Sequence, residues 1–109
     1  MERRNAARMM VDLPTWCFRD GFRHACRTLD LSTTGMLLFR GKSLADRDPP
    51  QIGAYEIHLD GGRPIRVRAR TVRAEGNLLA VRFVVMHDVD RLTIAEHADR
   101  LRASHGLLH

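Results

Sequence analysis

The chain has 109 residues, a length that suits one compact domain and leaves no room for two. It carries 18 basic against 13 acidic side chains, a formal charge of +5, and 44% apolar against 28% charged residues. That balance excludes wholesale disorder, and no apolar run approaches the roughly 20 residues of a membrane-spanning helix.

The charged start Met1-Glu-Arg-Arg-Asn, with no apolar stretch behind it, predicts no secretion signal and hence a cytoplasmic protein. Residues 9–18 are apolar-rich and end at Arg19-Asp20-Gly21, where Asp-Gly signals a hairpin. Residues 22–31 form the return strand, Ser32-Thr-Thr-Gly35 a turn, and residues 36–40 the next strand. Residues 41–53, which include Pro49-Pro50, read as an irregular connection. Tyr55, Ile57 and Leu59 then alternate with Glu56, His58 and Asp60, the pattern of a half-buried strand.

Gly61-Gly62 makes the next turn. Ile65, Val67 and Ala69 follow, alternating with Arg66, Arg68 and Arg70. Glu75-Gly76-Asn77 turns the chain into a last strand at 78–86. The period then changes: from Asp88 or Asp90 as N-cap, Leu92, Ala95, Ala98 and Leu101 recur at helical spacing, and Gly106 lies beyond the end. The domain division is therefore an arginine-rich arm at 1–8, a barrel at 9–86 and a helix at 88–104. About six short strands with no helix between them predict an all-β fold, a small antiparallel barrel or rolled sheet that removes open edges, with one C-terminal α-helix.

Catalytic signatures are lacking: there is no Gly-x-Ser-x-Gly elbow, Walker loop or His-Glu-x-x-His site. Cys17, His24 and Cys26 fall in one hairpin, but three soft ligands without a fourth make a poor zinc site. Two free thiols packed as small apolar residues are expected instead. The sequence therefore implies no enzyme, no metal and no cofactor. The arginines at 66, 68 and 70, flanked by Arg63 and Arg73, are the largest charge feature. A phosphate-facing groove is one reading. The alternation itself accounts for them as a solvated strand face, and the aromatics do not interleave with them as base-stacking platforms would.

Two further features carry more specific chemistry. Arg4-Asn-Ala-Ala-Arg8 places two guanidiniums four residues apart ahead of the first strand, each able to fork onto a phosphate or a guanine O6/N7 edge. Asp30-Leu-Ser32-Thr-Thr-Gly35 lies between two strands. Chance supplies about 0.02 such spacings in a chain of this composition. An ionised Asp30 only accepts hydrogen bonds and suits the N1–H and N2–H₂ donors of guanine. The Ser32 hydroxyl can donate or accept, and Gly35 can take a positive φ and let a ligand approach the backbone. An ordinary turn, with Asp30 and Ser32 satisfying local amides, is the alternative.

Taken together, the arginine pair, one hairpin, Asp-x-Ser-x-x-Gly, further strands and a terminal helix resemble the PilZ domain family over nearly the whole chain. Gly35-Met-Leu-Leu, Val72-Arg73 and Val81-Arg82-Phe83 add to the likeness. The resemblance implies a six-stranded barrel that binds the bacterial second messenger cyclic di-GMP. It assigns Arg4 and Arg8 to the phosphates and a guanine Hoogsteen edge, Asp30 and Ser32 to guanine, and Gly35 to the turn. It also implies that Arg3 can favour a stacked pair of ligands. The implied mechanism is non-catalytic: the mobile arm folds over the ligand and presents a new surface. The motif begins three residues from Met1, so output is expected to pass through a partner effector protein. The alternatives are a PilZ-like adaptor without ligand and, further off, a nucleic-acid-binding barrel on the Arg63 to Arg73 strand.

Overall fold

In the computed structural model, residues 8–59 and 62–107 are described, with side chains up to Leu101. Alternating burial dictates the architecture. In β1 (Met9–Arg19), β2 (Phe22–Leu31), β3 (Gly35–Arg40), β4 (Ile52–Ile57), β5 (Ile65–Glu75) and β6 (Leu78–Met86), successive side chains face the core and solvent in turn. Every pairing is antiparallel, and the order β1-β2-β3-β6-β5-β4 closes on itself through β4 and β1. The chain is thus a closed six-stranded barrel followed by one helix, α1 (Asp88–Leu107). Asp20 and Gly21 sit at φ 56° and 82°, the left-handed pair that a two-residue β1–β2 hairpin needs.

The core runs the length of the barrel, with Leu31, Leu38, Ile57, Ile65 and Ala69 almost completely enclosed. One mouth is plugged from the 41–51 connection. Leu44 is buried there near Cys17, Cys26 and Leu38, so the segment read as irregular also supplies core. Arg40 fastens it, donating to the Arg47 carbonyl at 2.9 Å and to the Gly76 carbonyl at 2.7 Å. Both cysteines are free and buried. A hydrogen bond between the thiols drives their acidities apart: donation to Cys26, helped by the Gly41 backbone and Arg40 against the opposing effect of burial, lowers Cys26 to about 7. The same bond, together with burial, pushes Cys17 up.

The other mouth is closed by α1, and here the structure corrects the expected helix face. Ile94 and Ala98 enter the core and Leu101 packs against it, whereas Leu92 is 58% exposed. The helix is rotated because Asp90 points inward to Arg63 at 3.2 Å, while Arg91 donates to the Thr33 carbonyl. It also runs to Leu107 rather than 104, since a glycine in a final turn costs only about 1 kcal/mol. We expect Ile94→Ala to lower stability by about 2–4 kcal/mol and Leu92→Ala by under about 0.5 kcal/mol. Urea denaturation of the two variants measures the difference.

Strand β4 begins at Ile52, inside the segment read as irregular, and ends at Ile57. Glu56, expected on its solvent side, is buried. Arg66 Nε donates to one carboxylate oxygen at 3.0 Å, and His58 Nε2 lies 3.1 Å from the other. Burial alone would raise its pKa; the hydrogen bonds with His58 and Arg66 outweigh it and hold the carboxyl below its usual 4.5. A depressed folded-state value gives stability that is present above the unfolded value and lost as pH falls through the folded one. The urea midpoint should therefore drop on acidification below pH 4.5, and Glu56→Gln should flatten that part of the curve.

Candidate ligand-binding groove

The site starts from an irregularity in β2. Thr28 faces the core; a strict period of two would then send Leu29 out and Asp30 in. The register shifts between Thr28 and Asp30 on the β3 side, and between Met10 and Leu13 on β1. This bulge reverses the phase, so Leu31 is fully enclosed while Asp30 turns outward. Arg8, just before β1, donates from Nη1 to Asp30 Oδ1 at 2.9 Å, the two side chains being 60% and 20% exposed. One residue from each sequence motif thus meets the other.

Ser32 sits in a different environment. It is 1% exposed, and its Oγ accepts from the backbone N–H groups of Thr34 at 3.1 Å and Gly35 at 3.2 Å. Its own N–H donates to the Gly35 carbonyl at 3.0 Å. The hydroxyl therefore builds the loop, which is the local-turn reading of this motif. Neighbours hold the loop as well: the Phe83 N–H donates to the Thr34 carbonyl at 2.8 Å, and Arg91 reaches Thr33.

Gly35 is required for a reason other than the one expected. Positive φ occurs among the described glycines at Gly21 and Gly76, not at Gly35. Instead, a Cβ at Gly35 would collide with the Val81 carbonyl oxygen of β6. The glycine lets β6 pass close beside β3, where Gly35 pairs with Arg82.

These residues edge a groove of about 270 Å³, close to the lower size of small-molecule sites. Its layout follows from register. Asp30 lies opposite Leu37, Leu37 opposite Ala80, and Ala80 opposite Arg73. One row thus crosses four strands, an acidic edge and a cationic edge separated by a small apolar floor. Arg82 lines the cationic side with Arg73. The sequence reading had set Arg73 in the stripe with Arg66, Arg68 and Arg70. A second irregularity, between Thr71 and Arg73, leaves Val72 exposed and puts Arg73 in the groove. The signal was legible: Val72 breaks the parity of the preceding alternation. Arg63 leaves the stripe too, bound to Asp90. Arg3 and Arg4 lie outside the described residues, so of the six site residues read from the motifs, the structure brings Arg8, Asp30 and the Ser32–Gly35 loop together.

The family model of the PilZ domain matches residues 2–100. No curated protein matches the chain in sequence. Among solved structures, the Bacillus subtilis inhibitor of motility (MotI/DgrA) aligns with a TM-score of 0.75 at 17% identity, over 95% of this chain and 53% of that one. The chain thus spans about half the length of that protein. An uncharacterised Legionella protein aligns at 0.62 and 16% identity, over 92% of this chain and 98% of that one. The PilZ domain of CeSA from a cellulose-synthesising bacterium aligns at 0.60 and 18% identity, over 95% and 100%. At such identities the neighbours speak for the barrel, and the family match extends over both sequence motifs. The chain belongs to the PilZ domain family.

Proposed function

We propose that this domain is a non-catalytic receptor that binds cyclic di-GMP in the groove between Asp30 and Arg73. PilZ domains form a family of cyclic di-GMP receptors. The observation that carries the reading to this chain is the 2.9 Å contact between Arg8 and Asp30 at the edge of that groove.

The chemistry follows from what each group can exchange. The Asp30 carboxylate accepts from the N1–H and N2–H₂ of a guanine. That displaces Arg8, whose freed guanidinium forks onto a phosphate or the guanine O6/N7 edge. Arg4, four residues earlier in the same motif, adds the second fork. Leu37, Ala80 and Gly35 allow a ring to lie close to the sheet, and Ser32 keeps the loop in shape. Arg73 and Arg82 on the far wall take the distal phosphate. Arg3, preceding the motif, favours a second ligand stacked on the first. Binding fixes the segment before β1 across the groove and so creates a surface that a partner effector protein reads in the cytoplasm. One neighbour of the same barrel shape is an inhibitor of motility and another is a domain of CeSA, which suits a module that reports to different partners.

Isothermal titration with cyclic di-GMP tests the reading and counts ligands per chain. Affinity should fall as salt rises, because charged contacts carry much of it. Each of Arg73→Ala and Arg82→Ala should weaken binding by about 10- to 100-fold, the loss of one charge-assisted contact worth about 1.5–3 kcal/mol. Wild-type affinity in both variants would remove the far wall from the site, and no heat with the wild-type protein would leave the adaptor without ligand.

A further inference from the structure

The opposite wall of the barrel carries a second concave surface, unconnected with the motifs. In the ring of six strands, β4 stands three places from β3 and so faces away from the ligand groove. Two hollows of about 490 Å³ and 540 Å³ share Phe18, Ala54 and Arg68, and run together along the outside of β4. Register explains the shape. Phe18 pairs with Ala54, Ala54 with Arg68, and Arg68 with Val85, one row across four strands. The short Ala54 side chain makes the floor, while Phe18 and Val85 stand 39% and 58% exposed on either side and Ile52 is 41% exposed at one end.

Charge follows one flank. Arg66, Arg68 and Arg70 project outward from β5 at two-residue steps, about 6.7 Å apart. Arg66 is bound to Glu56 at 3.0 Å. Arg68 and Arg70 have no ion pair or hydrogen bond among the described residues.

We propose that this trough docks an acidic amphipathic helix of a partner protein. Where the trough lies, β1, β4 and β5 are each paired on both sides, so an extended peptide cannot add to the sheet there, and helix-in-groove recognition remains. A helix about 10 Å across fits a trough four strands wide, about 14 Å between outer strands. Carboxylates four residues apart on such a helix, about 6 Å in rise, meet the arginine spacing. Apolar side chains between them fill the Ala54 floor. A single-stranded nucleic acid would need a run of stacking platforms, and among the described residues only Phe18 and His87 line the trough as exposed rings. A lipid surface is flat and cannot fill a concavity.

The test is panning of a random 12-residue phage-displayed peptide library against the full chain, followed by fluorescence anisotropy of the enriched peptides. Expected are sequences with Asp or Glu interleaved with large apolar residues at helical spacing. Their affinity should fall about tenfold or more in Ala54→Trp, which fills the floor, and in Arg68→Glu, which reverses the flank. Both variants should melt like the wild type and retain its cyclic di-GMP titration, which separates this surface from the ligand groove. An empty selection, enrichment of neutral or basic peptides, or undiminished binding to Ala54→Trp would overturn the proposal. So would binding of oligouridine RNA or phosphatidylglycerol vesicles that these two substitutions abolish.

Discussion

Arg8→Ala and Asp30→Ala should each abolish measurable cyclic di-GMP binding while moving the melting temperature by no more than about 7 °C. The two halves of this expectation have separate causes. The contact between them lies at the surface, with Arg8 60% exposed, and exposed ion pairs contribute only about 0–1 kcal/mol to folding. Neither residue holds core or sheet, so the fold survives. Binding differs because both groups act inside the complex, away from bulk water. Without Asp30 the guanine N1–H and N2–H₂ donors are left unmatched, and an unsatisfied donor costs about 1–3 kcal/mol each. Without Arg8 one phosphate or guanine edge loses its fork. Asp30→Asn sharpens the test: its amide keeps an acceptor but adds two donors facing guanine donors, so it should bind no better than Asp30→Ala. Titration beside thermal melting decides the matter. Unchanged affinity in both alanine variants would sink the proposed site whatever the wild type binds.

Gly35→Ala should be the most damaging single-methyl change in the barrel. The added carbon collides with the Val81 carbonyl oxygen, a backbone atom that moves only if β6 moves. Overpacking of this kind costs about 1–3 kcal/mol, a fall of roughly 4–20 °C in melting temperature for a domain of this size. Gly21→Ala is the informative control. Its added carbon would meet nothing within 4 Å, but its φ is +82°, so its cost is conformational and about 1 kcal/mol. If Gly35→Ala melts like the wild type, close packing of β3 on β6 is not what this position demands. Because Gly35 pairs with Arg82, a shift of β6 also displaces the cationic wall, and ligand affinity should fall together with stability.

What could be read from the amino acids was whatever local alternation encodes. The Asp20-Gly21 turn, the inward Ile65, Val67 and Ala69 and the strand count followed from period and turn chemistry, and the resemblance of the two motifs to a known family decided for the barrel over a rolled sheet. Reading failed where the period slips. The bulges before Asp30 and Arg73 each exchange inside for outside, and a strict alternation carries no term for an extra residue. That is why Arg73 was grouped with the stripe. The helix face was misplaced because spacing alone weighs Leu92 equally with Ile94. The choice was made by Asp90 and Arg91, polar groups whose partners Arg63 and Thr33 are far off in sequence. Glu56 was misjudged for the same reason, its burial being licensed by Arg66 on the next strand. Ser32 was legible as special, but motif spacing does not say whether a hydroxyl faces a ligand or its own loop.

The loop from Ser32 to Gly35 is gripped on three sides: by the Ser32 oxygen within, by Phe83 of β6, and by Arg91 of α1. The loop itself therefore has no closing motion to complete, and the step that gates capture is the release of Arg8 from Asp30. Any nucleotide must break that same contact, so discrimination among nucleotides falls to how long each one stays.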